Sequence, residues 1–265
     1  VDTGRTLREH MAECGGAPDA VEGRARHFDP TRLRGYVEVH IEQAPSLVEA
    51  DLAVGICTGI PGNFRYPNMR IEGSNDHVGL PRRFRRDAAM AGAEFAMAME
   101  TMWAEHDAMG IPMACTIGRF HTDTASHGLT IVPGTFQLSL DVRAYDEAVL
   151  SELDRRTDAI IAGIEQRRGV RFHRGPKARA AVGPVDSSIR NGFTLAARDL
   201  GICARDLGSP ASHDGAAFAE SGVPIGMLFI RNENGSHNPH EAMTMDDFLD
   251  AASVLTYWIR REVVD

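Results

Sequence analysis

Apolar and polar residues alternate with a period of two in two clear stretches of the chain. From Gly35 to Ile41, Val37, Val39 and Ile41 face one way and Glu38, His40 and Glu42 the other, which predicts a strand ended by Pro45. From Thr135 to Arg143, Phe136, Leu138, Leu140 and Val142 alternate with Gln137, Ser139, Asp141 and Arg143. Helical spacing governs two longer stretches. Arg82 to His106 places Phe84, Ala88, Ala91, Phe95, Met99 and Met102 on one stripe, and Glu147 to Arg168 does the same with Leu150, Leu153, Thr157, Ile160 and Ile164. With weaker strand signals at 64–73, 112–121 and 169–173, the middle of the chain runs β-α-β-β-α-β, the ferredoxin-like split unit. Such a unit covers one face of its sheet with helices and leaves the other for solvent or a partner.

The flanking segments follow an α/β pattern. Thr6 to Cys14 predicts a short helix ended by Gly15-Gly16, and 17–30 is polar and turn-rich. Further on come a helix over 187–200, a short strand starting at Ile202, a helix over 213–221 and a buried strand over 224–230. A polar loop spans 231–241. Thr244 with Asp247 resembles a capping box opening a last helix, with Phe248, Ala252, Leu255 and Ile259 on its apolar stripe. The simplest assembly is an α/β domain built from residues 1–61 and 174–265, interrupted by a ferredoxin-like insertion at 62–173.

The net charge of −9 argues against a nucleic-acid partner, which calls for a basic face. No apolar run approaches the ~20 residues that span a bilayer, and no apolar core follows the first residues as in a secretory signal. The four cysteines, Cys14, Cys57, Cys115 and Cys203, are far apart, as reduced thiols of a cytoplasmic protein would be. The chain opens on Val1 rather than Met, as expected of a processed chain or a piece of a longer one.

The loop Asn232 to Glu241 carries the most suggestive chemistry. It leaves a buried strand, where open α/β sheets place ligands, and holds His237, His240, Glu233 and Glu241 around a Gly and a Pro. Zinc takes such nitrogen and oxygen ligands, though a solvated loop has the same composition. His40, between Glu38 and Glu42, suits either a metal ligand with carboxylate partners or a hydrogen-bonded core histidine. His77 lies at the mouth of the insertion. His213 lies at a helix start, where N–H groups favour anions. Arg143 suits a bidentate grip on a carboxylate or a surface ion pair. The chain has no G-x-S-x-G elbow, no Cys with a nearby His, and no phosphate-binding glycine loop.

Five short motifs, in order, resemble the amidase/hydantoinase/carbamoylase group of the M20 metallopeptidase superfamily. That group includes N-carbamoyl-L-amino-acid hydrolases, β-ureidopropionase and allantoate amidohydrolases. The motifs are Val39-His40-Ile41-Glu42-Gln43-Ala44-Pro45; His77-Val78-Gly79 followed by Arg85-Arg86-Asp87-Ala88; Val132-Pro133-Gly134 with Asp141-Val142-Arg143; Ser212-His213-Asp214-Gly215; and Gly235-Ser236-His237-Asn238-Pro239-His240-Glu241.

The resemblance implies a zinc-exopeptidase-like mixed-sheet catalytic domain and a ferredoxin-like dimerisation domain that makes a homodimer. It implies two zinc ions (with Mn, Co or Ni as substitutes) and a metal-activated water that cleaves a C–N bond of an N-carbamoyl amino acid or a related ureido or amide substrate. His40 would bind one metal and His237 the other. Gln43 and Arg143 would hold a small substrate's carboxylate, with His213 and Thr130 also at the substrate. His77, from a partner subunit, would stabilise the oxyanion. Ala44 stands where a Gly is usual, and Thr130 where an Asn is common. The group's first half, with a metal-binding His, a bridging Asp and paired Glu residues, has no counterpart in residues 1–36, so this chain alone is expected to bind zinc weakly and not to turn over. The competing expectations are a non-catalytic dimerisation fragment or degenerate relative, and an M20 peptidase of another branch.

Overall fold

Two sheets of different character organise the computed structural model, which describes residues 4–24 and 28–263. Residues 1–3, 25–27 and 264–265 lie outside the described residues, and with them part of the turn-rich stretch 17–30. The first sheet begins with β1 (Tyr36–Ile41) and β2 (Val54–Cys57). A second unit follows: β3 (Gly62–Glu72), helix α1 (Ala88–Ala108), β4 (Met113–Thr116), β5 (Thr135–Ala144), helix α2 (Glu147–Arg168) and β6 (Arg171–His173). The chain then returns to the first sheet through α3 (Ser187–Leu200), β7 (Ala204–Leu207), α4 (Asp214–Glu220), β8 (Ile225–Ile230) and α5 (Met245–Val263). Where the chain crosses between the two, Gly59–Ile60 pairs with Gly183–Pro184.

The first sheet is mixed, in the order β1-β8-β2-β7. β8 runs parallel to β1 and antiparallel to β2, and β7 runs parallel to β2. β8, Ile-Gly-Met-Leu-Phe-Ile, is buried at every position, as a central strand covered on both faces must be. α3 and α5 cover one face through Ile189, Phe193, Ala251 and Val254, packed on Val54, Ile56, Leu228 and Ile230. α4 and the short helix Ser46–Ala50 cover the other, where Leu47, Ala216, Met227 and Phe229 pack together. Each fully buried Leu or Phe contributes roughly 1.5–3 kcal/mol.

The second sheet is antiparallel, in the order β6-β3-β5-β4. Its even-numbered residues Phe136, Leu138, Leu140 and Val142 pack with Phe95, Met99 and Met102 of α1 and Leu150, Leu153 and Ile164 of α2. Gly92 permits the close approach, since a Cβ there would sit 2.6 Å from the Phe136 ring. A register shift between Tyr66 and Met69 interrupts the β3–β5 pairing, which is why the alternation of β3 is weak in the sequence.

The elements depart from expectation in places with identifiable causes. Helix α1 starts at Ala88, not Arg82, because Asp87 caps it and residues 82–84 form a separate 3-10 turn. Phe84 is therefore 58% exposed instead of joining the core stripe. In α5 the buried apolar positions are Ala251 and Val254, while Phe248 and Ile259 of the expected stripe are exposed. Thr244 accepts from the N–H of Asp247, but the Asp247 carboxylate does not complete a capping box and takes two bonds from Arg231 instead. The 112–121 segment splits into two short strands, Met113–Thr116 and Phe120–Thr122, and a short helix, Pro18–Glu22, stands within the turn-rich segment. No helix among the described residues is long and apolar enough to cross a membrane.

Candidate functional site

The parallel pairing of β1 with β8 brings the carboxyl ends of both strands together, Ile41 opposite Ile230. The loops that follow, 42–45 and 231–241, therefore leave the same edge of the sheet. They are sewn together by Asn232, which is 2% exposed. Its side-chain oxygen accepts from the Gln43 N–H at 2.8 Å, and its amide donates to the Gly235 carbonyl at 2.8 Å. The Gln43 amide nitrogen then reaches the Ser236 hydroxyl at 3.1 Å and Nε2 of His237 at 3.3 Å. Gln43 and His237 both adopt left-handed backbone conformations, φ 63° and 60°. Side chains other than glycine resist that region, so both turns are held by their surroundings.

A cavity of about 640 Å³ opens at this edge, lined by His40, Gln43, Arg65, Arg143, Ser212, His213, Ser236 and His237 among others. The volume suits a small ligand. His40 and Glu38 share the face of β1 that looks toward α4, since successive side chains alternate across a strand. Nδ1 of His40 lies 2.8 Å from the Ile41 carbonyl, which only accepts, so Nδ1 carries the proton and the lone pair of the neutral ring is on Nε2. The His213 ring meets the His40 ring edge-on, with centroids 4.6 Å apart. Nδ1 of His213 faces Glu38 at 3.4 Å, while its buried Nε2 has no hydrogen-bond partner. Gly215, in the first turn of α4, donates its N–H to Glu38 at 3.1 Å. Burial works to raise the Glu38 pKa, but the bonds from His213 and Gly215 outweigh it and hold the carboxyl below its usual range.

Arg143 enters the cavity from the second sheet. The register puts Asn63 opposite Arg143 and Arg65 opposite Asp141. Asp141 takes two bonds from Arg143, 3.0 and 3.1 Å, and lies 2.7 Å from Nε of Arg65. Three bonds tie this unit to the loop that delivers His213: Arg143 to the Pro210 carbonyl, Tyr145 to the Ser209 carbonyl and Asn63 to Ser212. The ion pair weighed for Arg143 thus exists, yet the guanidinium still lines the cavity.

Of the residues singled out from the sequence, His40, Gln43, Arg143, His213 and His237 come together. His77 and Thr130 do not join them. His77 is exposed on a two-stranded ribbon with Ile131, and Thr130 accepts from Val78 on the same ribbon. Glu42 is also elsewhere: it is fully buried and its carboxylate caps the N–H groups of Ser46 and Leu47. Arg65 and Asn232 were not among the expected site residues, and Glu38 was expected only as a carboxylate partner of His40. Glu38 was legible as the i−2 neighbour of His40, whereas Arg65 and Asn232 depend on strand register and loop contact.

The donor set fits a divalent cation. Glu38, His40 and His213 offer ligand atoms within 4.8 Å of one another, and two imidazoles with a carboxylate suit zinc. His237 lies outside that group but lines the same cavity.

Fold and site together define an α/β protein with a small polar cavity of histidines and arginines at the carboxyl ends of two parallel strands. The chain belongs to peptidase family M20/M25/M40, whose family model matches residues 8–261. It is 32% identical over 259 residues to an N-carbamoyl-L-amino acid amidohydrolase of Geobacillus stearothermophilus, covering 96% of this chain and 61% of that protein. It is 26% identical over 242 residues to an allantoate amidohydrolase of Bacillus subtilis, covering 91% and 56%. Among solved structures, a hydantoinase/carbamoylase family amidase from Burkholderia multivorans superposes with a TM-score of 0.76 at 25% identity, over 86% of this chain and 55% of that one. The chain thus spans between half and two thirds of the length of these relatives.

Proposed function

We propose that this chain forms part of a zinc-dependent amidohydrolase that cleaves a C–N bond of an N-carbamoyl amino acid or a related ureido or amide substrate. The observation that carries this reading is the convergence of His40 and His237 with Arg143 on one cavity. A divalent ion held there supplies Lewis acidity and lowers the pKa of water to about 7.

The chain's own residues divide the remaining work. His40 offers Nε2 to the ion, its ring fixed by the Ile41 carbonyl. His237 offers a second imidazole, positioned by Gln43. Arg143, its plane set by Asp141, turns its remaining N–H groups to the substrate carboxylate, and Gln43 adds an amide donor. Glu38, held as a carboxylate, keeps the proton of His213 on Nδ1 and leaves a lone pair on Nε2 for a substrate N–H or the ion. Residues 62–173 serve as a ferredoxin-like dimerisation and lid domain of a cytoplasmic homodimer, with the partner subunit's His77 and the partner subunit's Thr130 completing the substrate site. Mn, Co or Ni would serve in place of zinc, since the donors are nitrogen and oxygen.

The test is turnover by the full-length native polypeptide, reconstituted with zinc, on N-carbamoyl amino acids, allantoate and dipeptides. Hydrolysis of a ureido substrate with a KM raised at least tenfold by Arg143→Met is expected. Dipeptide hydrolysis alone would assign the protein to another peptidase branch, and no turnover with zinc bound would leave a non-catalytic relative.

A further inference from the structure

The chain carries a net charge of −9, yet six arginines, none of which lines the histidine cavity, meet in one place. Two adjoining grooves, about 820 and 870 Å³, share Arg82, Arg85, Arg167 and Arg168; Arg83 and Arg86 line the second. No carboxylate lines the second groove. Two carboxylates line the first: Glu94, engaged by Arg167 and Arg168, and Asp87, which accepts from the Met90 N–H at the start of α1. Arg85 is engaged by the Leu80 and Val78 carbonyls, in the turn that follows His77, and Arg86 by the Gly169 carbonyl. Arg82 and Arg83 have no carboxylate partner among the described residues. Arg83 instead lies over the ring of Phe84, 4.6 Å from its centroid. Phe84, a phenylalanine 58% exposed, lines the same groove.

Like charges held this close repel unless something neutralises them, and the carbonyl contacts of Arg85 and Arg86 leave their full positive charge in place. Guanidinium clusters match phosphoryl oxygens in charge and in fork geometry. An exposed aromatic ring beside them offers a stacking face for a planar base. The grooves have the size of a small-molecule site. We propose that the Arg82–Arg86 segment, with Arg167 and Arg168, forms a binding site for a small molecule bearing adjacent phosphoryl groups, of the nucleoside polyphosphate class. The phosphates sit among Arg82, Arg83 and Arg86, and the base stacks on Phe84.

Calorimetric titration of the purified chain with ATP and with inorganic triphosphate, both in EDTA to remove metal chelation, tests this. Saturable one-to-one binding of ATP is expected, weakened at least tenfold in Arg82→Ser/Arg83→Ser. Phe84→Ala should weaken ATP at least threefold and leave triphosphate within twofold. Equal loss of both ligands in Phe84→Ala would overturn the base contact and leave a phosphate site alone. No saturable binding, or affinity for single-stranded RNA that rises with oligonucleotide length and exceeds that for ATP, would overturn the proposal. Arg82, Arg83 and Phe84 are all exposed, so the variants should fold, and an unchanged urea midpoint in each variant guards against misfolding as the cause of any loss.

Discussion

The side-chain amide nitrogen of Gln43 lies 3.3 Å from Nε2 of His237, 194 residues further along the chain. Two loops that share an edge of the sheet thus meet through side chains, and both residues hold backbone conformations that cost energy. Asn232 supplies the counterweight by satisfying the Gln43 N–H and the Gly235 carbonyl from a buried position. Asn232→Ala should therefore destabilise the chain by about 1–3 kcal/mol, because both backbone groups lose their partner. Gln43→Gly should be more stable than Gln43→Ala by about 1 kcal/mol, since glycine tolerates φ 63°. Urea denaturation measures both, and equal stability of the two Gln43 variants would show that the turn is not strained.

Glu94 accepts from Arg167 at 3.0 and 2.7 Å and also pairs with Arg168. Partial burial works to raise its pKa, but the two guanidiniums outweigh that and hold the carboxyl below the usual glutamate value. A depressed folded pKa means the folded state prefers the ionised form. The stabilisation is then complete above the unfolded value of about 4.3 and is lost as pH falls through the lower folded value. Glu94→Gln should be less stable than the native chain at pH 7, by on the order of 1 kcal/mol because the pair is partly solvated. The difference should vanish at the acid end of a urea midpoint series, and a difference independent of pH would point to packing instead.

The sequence pattern reached the antiparallel unit more securely than the site. Helix α2 was legible from Glu147 to Arg168 because its long amphipathic period marks it, and the structure adds the Asp146 cap and the left-handed Gly169 that close its ends. β2 was not, because Val54-Gly55-Ile56-Cys57 is a short apolar run buried on both faces and offers no alternation. At the site, His40, Gln43, Arg143, His213 and His237 were legible through motifs. Period-two reasoning placed Glu42 beside His40, but the strand ends at Ile41 and the backbone turns at Gln43, which sends Glu42 to cap the next helix. Arg65 and Asn232 became visible only once register and loop packing were known, since their roles depend on partners 76 or more positions away in sequence, Asp141 and Gln43.

His77 is exposed on its own ribbon and absent from the lining of the histidine cavity. If it acts on a partner's substrate, His77 and His40 of one subunit serve different composite sites, so in a mixed dimer both defects fall in one site and the other stays intact. In the full-length protein, heterodimers of His77→Ala and His40→Ala subunits should regain up to half of the native activity per dimer, while each homodimer stays inactive. No recovery in confirmed heterodimers would place His77 outside the reaction or within its own subunit's site.

Zinc titration separates the two ligand sets that His40 belongs to. The motif resemblance gives His40 to one metal and His237 to the other, whereas the geometry groups His40 with Glu38 and His213 within 4.8 Å. Removing a ligating imidazole should cost well over the 10–100-fold in affinity that loss of an outer-shell partner costs. His40→Ala should therefore lose zinc most severely. If His237 is the second ligand, His237→Ala should fall nearly as far, while His213→Ala stays within about 100-fold, as a residue that positions or binds substrate would. If His213 is the ligand, the order of those two variants reverses, and Glu38→Gln should follow His213→Ala, because Nδ1 of His213 faces that carboxylate at 3.4 Å. Titrations with a chromogenic zinc chelator on the full-length protein read this directly without turnover. An unchanged zinc affinity in His40→Ala would remove the one residue common to both sets, and with it the metal reading of the cavity.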